Sequence, residues 1–193
     1  VPLIANGFTD KARKQAKSNV TSLREAIVDK GIPVLATSST CTFTLRDEYP
    51  HLLDVDNTGL REHIELATRF LWRKLDSGQT LPLRELPLKV VYHTPCHMEK
   101  MGWSLYTLEL LRLIPGLELT VLDSRCCGIA GTYGFKRENY ETSQAIGAPL
   151  FRQIEESGAD IVVTDCETCK WQIEMSTSKR CEHPITLLAK ALG

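Results

Sequence analysis

Four short runs of apolar and β-branched residues predict β-strands in this chain. They lie at about residues 32–37, 88–93, 117–122 and 160–164. No two-residue hairpin signal directly follows any of them. Segments with helical spacing of apolar residues lie between them instead. This alternation of strands and helices is typical of a parallel α/β sheet.

Apolar residues at steps of three or four predict five helices. The first helix ends before Gly31, which fits a left-handed C-cap. In the fourth helix, Pro149 predicts a kink or a division into two shorter helices. The five helices are expected at about residues 9–30, 59–75, from after Cys96 to 116, 136–158 and 185–192.

An internal repeat is visible when the two halves of the sequence are compared. The sequence Asn-Gly-Phe at 6–8 matches Tyr-Gly-Phe at 133–135, and a long polar helix is predicted after each. Gly31 and Gly158 then follow at the same offset of 127 residues, and each precedes a predicted strand. Weak but ordered similarity of this kind indicates two related units.

The repeat predicts an α/β fold of two Rossmann-like parallel βαβ units, the first truncated at its N-terminus. We expect a partial first unit at 1–76, a linker at 77–87 that is rich in proline and glycine, and a complete second unit at 88–193. On this alignment the chain begins just after the position that corresponds to Cys126-Cys127. We therefore expect the chain to be a fragment of a longer protein.

Composition and charge narrow the possible functions. The chain has 193 residues, of which 42% are hydrophobic, and a net charge of −1, so no nucleic-acid partner is expected. No segment reaches the roughly 20 apolar residues of a membrane helix. The unusual feature is the presence of seven cysteines. A chain of this length can build a hydrophobic core without disulfide bonds, so the cysteines need another explanation.

Five of the cysteines follow predicted strands of the second unit. Cys96 follows one strand, Cys126 and Cys127 follow the next, and Cys166 and Cys169 follow the last. Parallel strands end at the same edge of a sheet, where open α/β sheets bind ligands, so the five thiols are expected to meet there. Thiolates are soft ligands that select iron–sulfur clusters, zinc or copper(I).

Spacing favours a multinuclear iron–sulfur centre over zinc. Zinc takes four ligands in a tetrahedron, and adjacent cysteines such as Cys126 and Cys127 suit one zinc ion poorly because their side chains diverge. A zinc-stabilised interaction module is nevertheless the first alternative. A thiol–disulfide redox protein that uses Cys166-Glu-Thr-Cys169 is the second. For the isolated Cys41 and Cys181, inert thiols are expected.

The segments Pro-Cys-His at 95–97, Cys-Cys-Gly at 126–128 and Cys-Glu-Thr-Cys at 166–169 resemble the motifs of the cysteine-rich CCG domain family. The similarity extends over the whole chain and would cover the later part of one CCG domain and all of a second. Within the family, the chain most resembles an electron-transfer subunit of an anaerobic, membrane-associated dehydrogenase. Ser38 departs from the pattern, since the family has a cysteine there, so no family-type cluster is expected in the first unit.

The resemblance implies a [4Fe–4S] cluster, in cubane or non-cubane form. Its ligands would be Cys96, Cys126, Cys127, Cys166 and Cys169, and Zn²⁺ would be an alternative occupant in material exposed to air. No ferredoxin-type cysteine motif occurs in this chain. No catalytic residue is therefore expected in it.

The resemblance also implies partners and a location. Flavin-bearing catalytic subunits would supply electrons, and the quinone pool would receive them. The subunit would lie peripherally at the cytoplasmic face of the bacterial inner membrane and help to anchor the complex. It would act in electron transfer rather than as a stand-alone enzyme.

Three residues beside the cysteines are candidates for hydrogen bonds to the cluster. His93 and His97 flank Cys96, and Gly128 follows the cysteine pair. A histidine could bond a sulfur, ligate a metal or move a proton, and a glycine lets a backbone amide approach an anion. The alternatives are that His93 pairs with backbone at a strand end, that His97 caps a helix, and that Gly128 serves a turn.

Overall fold

The computed structural model describes residues 1–193 and has α/β architecture. The strands are β1 Val34–Ala36, β2 Ile64–Leu66, β3 Lys89–Tyr92, β4 Glu118–Val121, β5 Ile161–Val163 and β6 Cys181–Glu182. The α-helices are α1 Pro2–Ala5, α2 Thr9–Arg24, α3 Ser39–Phe43, α4 Tyr49–Leu53, α5 Ala67–Asp76, α6 Cys96–Met101, α7 Ser104–Arg112, α8 Tyr140–Glu156, α9 Glu167–Ser176 and α10 Pro184–Leu192.

The strands form two parallel sheets. β1 and β2 pair in one sheet, with Val34 opposite Ile64. The other sheet has the order β4-β3-β5-β6, and all its strands run in the same direction. The predicted α/β class with parallel sheets is therefore confirmed. None of the helices combines the length and the apolar character that crossing a bilayer requires.

All four predicted strands are present, but the structure has two more, β2 and β6. The predicted helix at 59–75 is wrong in its first half. A short 3₁₀ turn at Arg61–His63 leads into β2, and α5 begins only at Ala67. The residues of β2 are buried, and a short buried strand shows no alternation that would separate it from a helix.

Two other helix predictions need correction. The single helix expected after Cys96 is divided into α6 and α7, because Gly102 adopts a left-handed conformation with φ of 68°. α8 continues through the exposed Pro149, so the expected division into two helices does not occur. The segment from 136 to 139, predicted as part of this helix, contains a short 3₁₀ turn at Arg137–Asn139 instead.

Two apolar layers cover the four-stranded sheet. One layer joins the sheet to α8 and α9 through residues such as Leu150, Ile154 and Ile173. The other joins it to α7 and α10, and α5 adds Leu71 and Trp72 to this second layer. Residues from the first half of the chain therefore complete the core around this sheet.

The segment at 79–88 contains no helix or strand. It is nonetheless fixed to the surroundings of the four-stranded sheet. The backbone N–H of Arg84 donates to the carbonyl of Ala191, and that of Leu86 donates to the carbonyl of Pro115. The proline-rich segment predicted as a linker thus lies along the second unit.

A buried polar network fixes the end of β5. The side chain of Asp165 is completely buried, and burial raises its pKa. Tyr92 donates to its Oδ2 atom at 2.6 Å, and Thr107 donates to its Oδ1 atom at 3.0 Å, with Thr68 at 3.5 Å. Its backbone carbonyl accepts the N–H of Ser39 at 2.9 Å. The network therefore joins β3, α5, α7 and α3 at one point.

Replacement of Thr107 by valine tests this network. The variant keeps the side-chain shape but removes the closest donor to Asp165 Oδ1, which leaves a buried carboxyl oxygen poorly satisfied. We expect the free energy of unfolding to fall by about 1–3 kcal/mol, measured by chemical denaturation. Thr142→Val, on the exposed side of α8, is the control and should change it by less than about 0.5 kcal/mol. Equal losses in the two variants would contradict the role of the network.

Candidate metal centre

All five predicted thiols line a single cavity of about 300 Å³. Cys96 begins α6 directly after β3, and Cys126 and Cys127 lie in the loop after β4. Cys166 and Cys169 lie at the start of α9, after β5. Because the three strands are parallel and adjacent, their carboxyl ends bring the thiols to the same edge of the sheet.

The deepest part of the cavity contains two cysteines and a histidine. The Sγ atoms of Cys127 and Cys169 are 3.2 Å apart, and both residues are buried. One ring nitrogen of His93 and these two sulfur atoms all lie within 4.8 Å of one another. Cys96 and Cys126 are exposed, so the ring of thiols extends from the interior to the surface.

His93 is buried without a hydrogen-bond partner for its ring. The residue is only 1% exposed, and neither Nδ1 nor Nε2 has a partner. The backbone N–H of His93 does pair, with the carbonyl of Val163, as one alternative expected. An unsatisfied buried imidazole is costly unless a bound group completes its bonding. The ring nitrogens therefore fit a site built around a ligand.

The pKa values show how closely the thiols interact. Hydrogen bonding from Cys169 lowers the pKa of Cys166 to about 6. Hydrogen bonds from Cys126 and Cys169 also lower the pKa of Cys127. Donation to these neighbours raises the pKa of Cys169, and burial raises the pKa of Cys96. Because thiolates rather than thiols bind metals, occupation of the site would release the protons held here.

Gly128 permits a close approach between the cysteine loop and α8. It has φ of 86°, and a Cβ atom at this position would overlap the carbonyl oxygen of Ser143. Its own N–H donates to the Sγ atom of Cys126 at 3.3 Å. Gly147 on α8 has the matching role, since a Cβ there would lie 2.7 Å from the carbonyl oxygen of Cys127. Gly128 thus holds the loop against the helix and also supplies an amide donor to a thiol.

The first half of the chain also contributes to the cavity, which the sequence patterns did not predict. Ile4, Thr40 and Glu48 line it together with the cysteines. The Nδ1 atom of His97 lies 3.1 Å from the Oγ1 atom of Thr40, and its ring stacks on Phe43. Thr40 lies between the two positions that the repeat aligns with the cysteines of the second unit, so the repeat was the signal that could have identified it.

The two remaining cysteines lie outside this cavity. Cys41 is exposed and does not line it. Cys181 is completely buried on β6 within the apolar core, and burial raises its pKa. These positions agree with the expectation that Cys181 fills a core rather than binding a ligand.

The residues of the site fit a multinuclear metal centre. On the same measure of volume, one water molecule needs only about 10–15 Å³, so 300 Å³ leaves room for a group much larger than a single ion. The donors are sulfur atoms with one imidazole, a set that suits iron–sulfur clusters or zinc. We therefore interpret the cavity as a metal centre of the iron–sulfur type.

Comparison with known proteins identifies the class. Residues 90–174 match the CCG family model, which is described as a cysteine-rich domain. The chain is 30% identical over 178 residues to lactate utilization protein A of Bacillus velezensis, which covers 86% of this chain and 69% of that protein. The chain belongs to the CCG cysteine-rich domain family.

Two further relatives carry more specific names. The chain is 86% identical over 193 residues to the iron–sulfur-family subunit of anaerobic glycerol-3-phosphate dehydrogenase of Escherichia coli strain K12, with 100% of this chain and 49% of that protein covered. It is 25% identical over 180 residues to an uncharacterized iron–sulfur protein of Methanocaldococcus jannaschii, with 92% of this chain and 33% of that protein covered. The chain thus spans about half the length of the Escherichia coli relative.

Replacement of Gly128 by alanine tests the close approach of the cysteine loop to α8. The variant combines a left-handed backbone with an overlap against backbone atoms of the helix. We expect the free energy of unfolding of the metal-free protein to fall by about 3–5 kcal/mol. Denaturation monitored by circular dichroism measures this change.

Gly158→Ala is the matched control for that variant. Gly158 also has a positive φ, of 65°, but a Cβ there would meet nothing within 4 Å. Only the backbone strain of about 1–2 kcal/mol is expected. If the two variants lose the same stability, the contact with α8 is not what requires glycine at 128.

Proposed function

We propose that this chain holds an iron–sulfur cluster on Cys96, Cys126, Cys127, Cys166 and Cys169 and transfers electrons within a dehydrogenase complex. The observation that carries this proposal is the convergence of five thiols from three strand ends on one cavity. The 86% identity to a subunit of anaerobic glycerol-3-phosphate dehydrogenase supports the choice of complex.

A [4Fe–4S] cluster is the form that we propose. Five thiols exceed the four that a simple cubane cluster uses, and the adjacent Cys126 and Cys127 can each reach a different iron. This number of donors supports a non-cubane arrangement. When bound, such a cluster accepts and releases electrons without taking part in bond making.

The protein's own residues prepare the site for this role. The buried pair Cys127 and Cys169 holds the inner side, where Ile129 and Ile4 limit the access of water. The exposed Cys96 and Cys126 form the outer side, which gives a short path between the centre and a partner at the surface. Burial and hydrogen bonds around the sulfurs then set the reduction potential.

The complex that we propose contains flavin-bearing catalytic subunits, which pass electrons to this protein, and the quinone pool, which receives them. The protein lies peripherally at the cytoplasmic face of the bacterial inner membrane and helps to anchor the dehydrogenase there. The support for these partners is the similarity to a named dehydrogenase subunit, of which this chain spans about half.

We further propose that the fold consists of two related units, a partial one at 1–76 and a complete one at 88–193, with 77–87 as the connection. β1 at 34–36 and β5 at 161–163 occupy positions related by the same offset of 127 residues. A helix, a further parallel strand and another helix follow each of them in the same order. With Ser38 and one exposed cysteine, the first unit has too few thiols for a cluster of its own.

Zinc is the second candidate occupant, and one observation favours it. His93, Cys127 and Cys169 could supply three of the four ligands that zinc takes, because their donor atoms lie within 4.8 Å of one another. Such a site would stabilise an interaction module instead of transferring electrons. Metal analysis distinguishes the two occupants directly.

Cys166→Ser tests the ligand assignment. A hydroxyl is a poor substitute for a thiolate on iron, so we expect this variant to retain less than half of the iron that the parent takes up in anaerobic reconstitution. Iron and acid-labile sulfide are measured per chain. Cys41→Ser, which removes an exposed thiol outside the cavity, should leave both contents unchanged.

Two outcomes would contradict the proposed function. Equal iron in Cys166→Ser and the parent would remove Cys166 from the ligand set. One tightly bound zinc ion with no iron under anaerobic preparation would favour the interaction module. Dithiol-dependent reductase activity of the metal-free protein would instead support the thiol–disulfide alternative.

A further inference from the structure

The loop that precedes and begins α3 lies against the cysteine loop of the second unit. The backbone N–H of Ser39 donates to the carbonyl of Asp165 at 2.9 Å, and Thr37 Oγ1 donates to Glu167 at 3.4 Å. Beside these two contacts, the Oγ1 atom of Thr40 lies 3.5 Å from the Sγ atom of Cys166. The backbone contact fixes the position of the hydroxyl, so the separation from the sulfur is set by the fold.

The state of Cys166 determines the direction of this hydrogen bond. A thiol could donate or accept, but a cysteine that ligates iron is a thiolate and can only accept. Thr40 must then donate its single hydroxyl proton to the sulfur. Its oxygen keeps lone pairs that can accept a hydrogen bond from another group.

His97 is placed to complete this arrangement. Its Nδ1 atom is 3.1 Å from the Oγ1 atom of Thr40, and the ring is held by stacking on Phe43 at a centroid distance of 4.9 Å. Since the hydroxyl proton points to the sulfur, the imidazole must present Nδ1–H to the hydroxyl oxygen. Burial lowers the pKa of His97, which favours a neutral ring with this single tautomer.

We propose that Thr40, oriented by His97, donates a hydrogen bond to the Cys166 sulfur and raises the reduction potential of the bound cluster. This inference rests on the proposed function. Reduction adds negative charge to the cluster and its sulfur ligands, and a hydroxyl dipole aimed at one of them stabilises the reduced state more than the oxidised state. The first unit, which lacks a cluster of its own, thereby tunes the centre in the second.

Thr168 supplies a second hydroxyl to the same sulfur, at 3.3 Å. It belongs to α9 and is separated from Cys166 by a single residue, so it accompanies the ligand wherever the second unit folds. Thr40 differs because it comes from a distant part of the sequence. Its contribution therefore depends on contact between the two halves of the chain.

The test compares the midpoint potential of the cluster in reconstituted parent, Thr40→Val and Thr40→Ser proteins, each measured by redox titration with EPR detection. Valine keeps the shape but lacks the donor, whereas serine retains the hydroxyl. We expect Thr40→Val to lower the equilibrium constant for reduction by up to about tenfold, or about 59 mV for one electron. Thr40→Ser should restore most of the shift, and iron content should be unchanged in both.

Thr42→Val is the matched control. Thr42 lies on the same helix and its hydroxyl donates to the carbonyl of Ser38, so this variant loses a hydrogen bond of α3 without touching the cavity. Its potential should equal that of the parent. Equal potentials in Thr40→Val and Thr42→Val, with normal iron in both, would overturn this inference alone. A parent that binds no iron would overturn the proposed function and this inference with it.

The contact itself can be tested without a cluster. In metal-free Thr40→Cys protein, a mild thiol oxidant should form a disulfide between positions 40 and 166, detected by peptide mass spectrometry. The native Cys41, next to Thr40 but exposed, should not form this link and serves as an internal control. A link from Cys41 in place of position 40 would show that α3 is oriented differently and would overturn the inference.

Discussion

The buried carboxyl of Asp165 is the point on which the rest of the structure depends. Removing this group from water is costly, and Tyr92, Thr107 and Thr68 offset that cost with hydroxyl groups from β3, α7 and α5. Its backbone carbonyl accepts the N–H of Ser39. Since Cys166 is the next residue, the same network that joins the two halves also fixes one of the five thiols.

The convergence of thiols creates an electrostatic problem that a metal solves. Metal-free, the five sulfurs cannot all ionise next to one another, and the opposite pKa shifts of Cys127 and Cys169 reflect that competition. His93 adds two unpartnered ring nitrogens at the deepest point. A multinuclear cation would remove both difficulties, because it replaces the shared protons and gives the soft donors a partner. The arrangement therefore costs stability until the site is filled.

Sequence patterns were sufficient to predict the four central strands and the meeting of the cysteines at one sheet edge, because both follow from short-range periodicity and parallel topology. They were insufficient for β2, which is too short and too buried to show alternation. They also did not reveal the wall formed by Thr40 and Glu48, since that wall depends on packing between distant segments. The division of the helix at Gly102 could have been predicted from the glycine, but Pro149 shows that a helix breaker on an exposed face is tolerated.

The central claim is that the five thiols hold an iron–sulfur cluster, and anaerobic metal analysis of the reconstituted parent protein tests it most directly. We predict about four iron atoms and about four acid-labile sulfides per chain, as a [4Fe–4S] cluster requires. An EPR signal on reduction or oxidation should accompany them. A single zinc ion per chain, with neither iron nor sulfide under the same anaerobic conditions, would contradict the account.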